Sequence, residues 1–378
     1  MATLGELVEL NMLNECTMEC TAQSRWKGTT QRYIINMLLR NLELQDEVLS
    51  GQYEVSPTID FYINERGRVR RIEAPEVRDR VFQKSVTKNV LIPNLMPYLI
   101  YDNYASLKLR GTHFARKRFE IMLHRYINKY GIDGYLLLGD FSKYFENVDH
   151  EILKQLIAPR LAGEPVEVVE MVYYIIDHSS HSAQGLNLGG EPPQIMAVYY
   201  LGLIDTFVKV IKGVRFYGRY MDDFFVICRT KDEASALLAE IEQKAAELRL
   251  EINHKKTLII KLEHGFTWLQ TKYKITSTGK IKTSPTRSKI ARERRRHKAF
   301  KRMLDAGRMT EAEIYNTYQS WRGALATDYN SCSRTLKSMD ALYDSLFPEH
   351  VPQPKMGRKA LIVKINNDAD KEDLRLIV

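Results

Sequence analysis

The chain has 378 residues, 44% of them hydrophobic and 27% charged, and a formal net charge of +9 at pH 7. This composition is typical of a globular protein of two or three domains and excludes a fibrous or disordered chain. No apolar run approaches the roughly 20 residues that cross a membrane, and no signal sequence is evident, so we expect a cytoplasmic protein without a membrane partner. The positive charge favours a polyanionic partner, with nucleic acid as the leading candidate.

The cysteines are too few and too scattered for a disulfide framework. Cys16 and Cys20 have the i, i+4 spacing of one helix face, but a zinc site would need two further ligands nearby, and the sequence offers none. We therefore predict that all four cysteines, including Cys228 and Cys332, are free thiols.

The first third of the chain alternates between helical and extended patterns. Residues 28–50 have the pattern of a helix, and Phe61–Arg68 has the pattern of a strand that enters a turn at Gly67. Thr112 is predicted to be the N-cap of the helix that follows it.

The next segments place acidic residues at the ends of strands. Tyr135–Gly139 is a short apolar run of the buried-strand type, and Asp140 follows it directly. Helical patterns occupy Asp149–Ile176 and Asp232–Leu248. Together these segments predict an α+β fold in which a small sheet carries acids at one edge.

Two adjacent carboxylates, Asp222 and Asp223, lie within the aromatic and β-branched segment Arg215–Cys228. Ionised carboxylates between apolar strands are costly unless a positive charge compensates them, and hard oxygen ligands select Mg²⁺ or Mn²⁺. The pair therefore predicts a metal site, to which Asp140 would add a third carboxylate. The alternative is an exposed acidic turn that binds no metal.

A dense cluster of cations runs from Arg287 to Arg302, and only Glu293 interrupts it. Apolar residues recur within it at helical spacing, so the segment predicts a basic amphipathic helix. Such a helix either contacts phosphates or forms a solvated face that acids elsewhere balance, and we favour phosphate contact. The candidate nucleic-acid-binding residues are Arg287, Lys289, Arg292, Arg294, Arg295, Arg296 and Lys298.

The tetrapeptide Tyr220-Met221-Asp222-Asp223 between two strands resembles the catalytic hairpin of reverse transcriptases. Other segments between about residue 25 and residue 348 resemble motifs of bacterial and phage members of this family, in the family's order. The resemblance implies a right-hand polymerase fold with fingers, a palm built on a small antiparallel sheet, and a helical thumb. The implied domains are an N-terminal extension with fingers (1–99), a first palm segment (100–148), a helical insertion (149–184), a second palm segment (185–273), a helical thumb (274–348) and a C-terminal tail (349–378).

For catalysis, the resemblance implies that Asp140, Asp222 and Asp223 are ligands of two Mg²⁺ ions, with Mn²⁺ as a substitute. It adds the main-chain carbonyl of Phe141 as a further metal ligand. Two such ions activate the primer 3′-hydroxyl and stabilise the leaving pyrophosphate. Lys256 matches a family lysine that lies near the departing pyrophosphate, with Lys255 beside it.

For nucleotide binding, the resemblance implies a set of cations and of residues around the sugar and base. Arg70 matches the arginine that grips the triphosphate, and Arg68 takes the place of a usual lysine. Phe145 matches the ring that rejects a 2′-hydroxyl. Gln194 matches a glutamine near the nascent base pair, although Pro193 stands where bacterial relatives often have serine. The implied nucleotide-binding residues are Arg68, Arg70, Phe145, Gln194 and Tyr220.

The resemblance also implies contacts with the template–primer duplex. Phe266–Gln270 stands where many relatives have Phe-Leu-Gly in a ribbon that grips the primer end, and Trp268 is its candidate contact. Trp321 lies with the basic helix in the implied thumb, which would follow the duplex by its phosphates. The tail suggests a linker and then a strand near Ala360–Ile365, and we assign it no function.

The predicted function is RNA-directed DNA synthesis, in which a primer 3′-hydroxyl is extended with dNTPs opposite RNA. The implied partners are an RNA template, a nucleic-acid primer and dNTPs, and an element-encoded non-coding RNA or an accessory protein also fits the family. Two alternatives stay open. One is an RNA-binding maturase-like protein with a vestigial polymerase site, and the other is a defence-type polymerase with protein-primed or template-independent DNA synthesis.

Overall fold

A computed structural model describes residues 2–65, 68–180 and 182–348. The chain divides into two compact units, Met1–Lys282 and Thr283–Val378. The turn predicted at Gly67, the tail 349–378 and the side chain of Arg68 lie outside what the structure describes.

The N-terminal unit begins with helices that share one apolar core. The helix predicted over residues 28–50 is confirmed as two helices with a break at Asn36. An antiparallel ribbon of β1 (Ile59–Glu65) and β2 (Arg68–Ala74) follows them. The helices before the ribbon are Leu4–Leu7, Leu10–Thr21, Gly28–Ile35 and Met37–Leu49. The helices after it are Val77–Val86, the π-helix Thr87–Leu91, Ile92–Leu95 and the 3₁₀ helix Met96–Tyr98.

The helix Thr112–Tyr130 follows a loop, and its N-cap is Gly111. The prediction that Thr112 caps this helix was therefore wrong by one position. The chain enters the helix through the extended backbone of Gly111, whose φ is 168°, so Thr112 already belongs to the first turn.

A four-stranded antiparallel sheet, which we call the palm sheet, forms the centre of the N-terminal unit. Its strands are β3 (Tyr135–Asp140), β4 (Tyr217–Tyr220), β5 (Asp223–Cys228) and β6 (Leu258–Lys261), in the order β4-β5-β3-β6. The strand predicted at Tyr135–Gly139 is thereby confirmed. Alternate residues of the two central strands enter separate apolar cores, with Leu137 and Val226 in one and Leu136 and Phe225 in the other. Because both faces are covered, these strands are almost continuously apolar in sequence.

Helices cover the face of the palm sheet to which Leu137 points. The helical pattern predicted over Asp149–Ile176 is confirmed as two helices, and Asp149 caps the first by accepting a hydrogen bond from the backbone of Ile152. The helix predicted over Asp232–Leu248 is also confirmed. The helices are Tyr144–Asn147, His150–Leu161, Val166–Asp177, Glu191–Tyr200, Gly202–Thr206, the π-helix Phe207–Ile211 and Lys231–Glu247.

Among the described residues, one helical stretch, Glu191–Ile211, is long and apolar enough to cross a membrane by length and composition alone. The expectation that no apolar run has this length is therefore corrected. Half of its apolar window is buried inside the protein, and its Asp205 forms a fully buried ion pair with Arg219. These are the properties of a core helix, in which a charge is tolerated because it is paired.

All four cysteines lie in the described residues and are free thiols, as predicted. Cys16 and Cys20 lie on the helix Leu10–Thr21. Burial raises the pKa of the Cys16 thiol to about 12 and that of the Cys20 thiol to about 11. That the pair holds no zinc ion stays a prediction.

An antiparallel hairpin follows the palm sheet, formed by β7 (Phe266–Trp268) and β8 (Thr271–Ile275). A 3₁₀ turn, Leu262–His264, leads into it, and β9 (Ile281–Pro285) runs across the boundary between the two units. The C-terminal unit contains the helices Arg287–Asp305, Glu311–Asp328 and Ser333–Leu346. The basic segment is thus helical, as predicted.

Candidate active site

The acidic pair lies at a two-residue turn between β4 and β5. Tyr220 pairs with Asp223 at the end of the ladder, so Met221 and Asp222 form the turn itself. Met221 has a φ of 53°, in the left-handed region. This conformation costs a residue with a Cβ atom about 1–2 kcal/mol, which is why glycine is common in such turns. The turn therefore depends on support from its surroundings.

The strand β3 places Asp140 beside this turn. Asp140 is the partner of Asp223 in the β3–β5 ladder. Opposed residues in an antiparallel pair have Cα atoms only about 5 Å apart. The palm sheet thus places Asp140 opposite Asp223, and Asp222 precedes Asp223 in the turn.

Burial and mutual repulsion disfavour the ionised forms of the two turn carboxylates. Burial, then Asp222 and Asp140, raise the pKa of Asp223 to about 7 from its ordinary value of 3.8. Burial and Asp140 also raise the pKa of Asp222. Lys256 opposes both shifts and Arg70 opposes that of Asp222, but neither cancels them. The two cations therefore do not offset the burial and the repulsion that act on these two carboxyl groups.

Asp140 is held by two residues of the turn that precedes β6. Lys256 Nζ lies 2.7 Å from each carboxylate oxygen of Asp140, and Asn253 Nδ2 donates to Oδ2 at 3.0 Å. The backbone N–H of Asn253 donates to the Asp140 carbonyl at 2.7 Å, and the Asn253 carbonyl accepts from the Lys256 N–H at 2.9 Å. Sequence reasoning selected Lys256 but missed Asn253, which lies three positions before it in the same turn.

The carboxylates of this turn are donors of the type that a divalent cation binds, although their arrangement in the structure does not form a metal site. The part of the chain that the structure describes contains no three His, Cys, Asp or Glu side chains grouped closely enough to hold a metal ion. At Asp140, both carboxylate oxygens contact the ammonium group of Lys256. That ammonium group is a stand-in cation on a predicted ligand, and carboxylate oxygens are the donors that Mg²⁺ and Mn²⁺ prefer.

The main chain of Phe141 is compatible with its predicted part in the site. Phe141 forms an isolated antiparallel bridge with Ile252. Residues next to the bridged pair form its two hydrogen bonds. The Ser142 N–H donates to the Glu251 carbonyl, and the Asn253 N–H donates to the Asp140 carbonyl. The Phe141 carbonyl therefore takes no part in the bridge's two hydrogen bonds.

A cavity of about 610 Å³ is lined in part by Asp222. Its size is within the range of small-molecule sites, about 300–1,000 Å³. The predicted residues that line it are Arg70, Phe141, Phe145, Asp222 and Lys256. Sequence reasoning did not single out several further lining residues, which include Asn187 and Asn253.

Two predicted nucleotide-binding residues are placed differently. Gln194 and Tyr220 are not among the described residues that line this cavity. Gln194 Oε1 accepts a hydrogen bond from Ser106 Oγ at 3.4 Å. Tyr220 packs against the core on the opposite face of the palm sheet from Leu137. The cavity thus brings Arg70 and Phe145 together with Asp222, whereas Asp140, Asp223, Gln194 and Tyr220 are not among its described lining residues.

Trp268 is a core residue, which corrects its prediction as a nucleic-acid contact. It is only 4% exposed, and its ring lies 5.0 Å from that of Phe119 and 4.9 Å from that of Phe225. Side chains alternate along β7, so Trp268 points inward and Thr267 points outward. The outward residues of this hairpin include Thr267 and its cross-strand partner Lys272.

The basic helix of the C-terminal unit presents most of its cations to solvent. The exposed residues are Arg287, Arg292, Arg294, Arg295, Arg296 and Lys298. Lys289 is half-buried and donates to the hydroxyl of Tyr329 at 3.1 Å. Trp321 is also half-buried. Its ring packs against two small apolar clusters.

Comparison with known proteins shows the family of this chain. The family described as "Reverse transcriptase (RNA-dependent DNA polymerase)" matches residues 63–273, which is more than half of the chain. The protein therefore belongs to the reverse transcriptase family and has the α+β right-hand polymerase fold of that family. Protein YkfC of Escherichia coli (strain K12) is similar, with 23% identity over 269 residues that cover 60% of this chain and 69% of that protein.

Several solved telomerase structures are also similar. An apo telomerase from Candida tropicalis, truncated from the C-terminal domain, is 14% identical with a TM-score of 0.47 and is matched over 64% of this chain and 59% of that one. A telomerase from Candida albicans in complex with a TWJ fragment of telomeric RNA is 10% identical with a TM-score of 0.46. The match covers 62% of this chain and 46% of that one. The chain thus spans less than two thirds of the length of these telomerases.

Proposed function

We propose that this protein is an RNA-directed DNA polymerase that extends a primer 3′-hydroxyl with dNTPs. The observation that carries the proposal is the meeting of Asp140, Asp222 and Asp223 at one end of the palm sheet, beside a cavity that Arg70 and Phe145 line. Carboxylates at a cavity of nucleotide size, with a cation and an aromatic ring on its wall, suit phosphoryl transfer to a hydroxyl.

The three aspartates would hold two Mg²⁺ ions, or Mn²⁺ in their place, and the Phe141 carbonyl would add a ligand. Bound there, the ions supply activation of the 3′-hydroxyl and neutralisation of the phosphate charge. Once Asp140 is compensated in this way, the ammonium group of Lys256 is available to the cavity that it lines. There it can pair with the departing pyrophosphate or give it a proton.

The remaining partners follow from charge. The exposed cations of Arg287–Asp305 suit the phosphates of a template–primer duplex, and we propose an RNA template and a nucleic-acid primer for this surface. An element-encoded RNA or an accessory protein would fit the same surface. We propose that the protein acts in the cytoplasm.

The test of the activity is template-directed choice of nucleotide. In Mg²⁺, poly(rA) with an oligo(dT) primer should direct incorporation of dTTP alone, and poly(rC) with an oligo(dG) primer should direct dGTP alone. Incorporation that ignores the template would favour template-independent synthesis. Template binding without incorporation would favour a maturase-like protein.

We expect Phe145→Ala to relax discrimination against ribonucleotides. Phe145 lines the cavity on the short helix Tyr144–Asn147, next to the ring of Tyr144 at 5.6 Å. Without its ring, a 2′-hydroxyl meets no steric barrier, and the ratio of kcat/KM for dNTP over rNTP should fall by about 10-fold or more. Phe145→Tyr keeps the ring and should keep the ratio. If ribonucleotide use did not rise in Phe145→Ala, another group would be the gate.

We expect Arg70→Ala to raise the KM for dNTPs by about 10-fold, because a charge-assisted contact with the triphosphate is worth about 1.5–3 kcal/mol. The matched control is Arg40→Ala, which removes an equal charge from an exposed helix position where Arg40 pairs with Glu43. Steady-state kinetics at several dNTP concentrations give the KM for both variants, and only Arg70→Ala should raise it. An unchanged KM for Arg70→Ala would assign the triphosphate grip to another cation.

A further inference from the structure

A fully buried ion pair lies directly behind the catalytic turn. Arg219 of β4 and Asp205 of the helix Gly202–Thr206 are both 0% exposed. Arg219 Nε donates to Asp205 Oδ1 at 2.8 Å, and Nη2 donates to Oδ2 at 2.6 Å. This is the two-point geometry in which a guanidinium group is held most rigidly.

The same guanidinium group reaches two backbone carbonyls. Nη1 donates to the carbonyl of Met221 at 2.8 Å, and Nη2 donates to the carbonyl of Val198 at 2.9 Å. Val198 belongs to the helix Glu191–Tyr200, which also carries Gln194. One side chain therefore ties the turn that carries Asp222 to two helices beneath the palm sheet.

The main chain of Arg219 is fixed as well. Its N–H donates to the carbonyl of Asp102 and its carbonyl accepts from the N–H of Tyr104, both at 3.0 Å. The guanidinium group thus extends from an anchored backbone toward the strained turn, where Met221 has its φ of 53°.

Stability alone does not explain this arrangement. Burying two charges costs desolvation free energy. Well-packed apolar residues of similar volume therefore often stabilise a fold as much as a buried ion pair does. The hydrogen bond to the Met221 carbonyl, by contrast, has a direct geometric effect. The peptide group between Met221 and Asp222 is planar, so holding its oxygen also fixes the direction in which the chain enters Asp222.

We propose that Arg219 is a positioning residue for the reaction. It holds the Met221 carbonyl so that the carboxylate of Asp222 faces Asp140, and Asp205 holds Arg219 in place. This inference rests on the proposed function for its kinetic consequence. Its structural consequence, the geometry of the acidic site, can be measured without any synthesis.

The test uses the full-length protein with the paired substitution Arg219→Met and Asp205→Leu, which replaces both charges by apolar side chains. The matched control is Tyr217→Phe. The hydroxyl of Tyr217 donates to Asp205 Oδ1 at 2.6 Å, so the control removes a buried hydrogen bond from the same carboxylate without touching the turn.

We expect the apolar pair to fold with a lower Tm than the wild type, because the Tyr217 hydroxyl and the carbonyls of Met221 and Val198 lose their hydrogen-bond partners. Its kcat should fall by about 10- to 100-fold, as displaced catalytic groups typically cause, while the KM for dNTP changes by less than about twofold. Mn²⁺ binding, measured by electron paramagnetic resonance without nucleotide, should weaken by about 10-fold because a mobile ligand binds less tightly. Backbone amides at residues 221–223 should exchange hydrogen faster. Tyr217→Phe should resemble the wild type in all of these measurements.

A folded apolar pair with wild-type kcat and Mn²⁺ affinity would overturn the proposal. If the apolar pair does not fold, Arg219→Lys tests the same point, because lysine keeps the charge but lacks the planar fork. Wild-type kcat and Mn²⁺ affinity in Arg219→Lys would also overturn it. If the wild-type protein made no DNA, the proposed function would fail, and Mn²⁺ affinity and amide exchange would still decide the role of Arg219.

Discussion

Asp222→Asn is expected to lower the rate of DNA synthesis by at least about 10³-fold and to leave RNA binding unchanged. The amide has the size of the carboxylate but not its charge, so it cannot hold a divalent cation beside Asp140. The cations that suit RNA phosphates lie elsewhere, on Arg287–Asp305, and are unaffected by the change. Primer extension measures the first effect, and RNA affinity over a series of salt concentrations measures the second.

The matched control is Asp232→Asn, which makes the same chemical change at an exposed position in the first turn of the helix Lys231–Glu247. This control should retain full synthesis. Wild-type synthesis by Asp222→Asn would contradict the assignment of the turn as a metal site. Loss of both synthesis and RNA binding would mean that the substitution disturbs the fold, and the result would then say nothing about the chemistry.

Asp223→Asn is expected to stabilise the metal-free protein at pH 8. The folded-state pKa of Asp223, about 7, lies above its ordinary value of 3.8, so the ionised side chain disfavours the folded state at high pH. Each unit of pKa corresponds to about 1.4 kcal/mol, and allowing for partial exposure we expect a gain of about 2 kcal/mol in the free energy of unfolding. Urea unfolding in EDTA measures this gain.

Because the pKa of Asp223 is raised in the folded state, the stability gain of Asp223→Asn depends on pH. A carboxyl group with a raised folded-state pKa costs little stability near pH 4 and progressively more as the pH rises through about 7. The advantage of Asp223→Asn should therefore shrink toward pH 4 in the same buffers. Adding Mn²⁺ at pH 8 should stabilise the wild type more than the variant. A variant less stable than the wild type at pH 8 would contradict the claim that these carboxylates repel one another.

Local patterns were sufficient to predict the parts of the site that lie on strands. The apolar run before Asp140 and the aromatic segment around Asp222 have few alternatives to buried strands, because both faces of the palm sheet are covered. That the two strands are neighbours depends on pairing across a long stretch of chain. The resemblance to a known family supplied that information, and the residues alone did not.

The errors have a common physical cause, which is that burial is a tertiary property. Trp268 was expected to contact nucleic acid, but on the three-residue strand β7 its side chain points inward and packs in the aromatic core around Phe119. Asn253 was missed because a turn asparagine is ordinary until its amide is seen on Asp140. Arg219 gives no sign in the sequence that it is buried, since an arginine beside aromatic residues usually keeps its charge in water.

The most direct measurement is extension of a primer on an RNA template of mixed sequence with dNTPs and Mg²⁺, followed by sequencing of the product. The wild type and an Asp222→Ala, Asp223→Ala double variant are compared, and binding of the template–primer duplex is measured for both. We expect DNA complementary to the RNA from the wild type alone, with equal binding by the two proteins. Equal product from both proteins, or none from a wild type that binds the duplex, would contradict RNA-directed synthesis at this acidic turn.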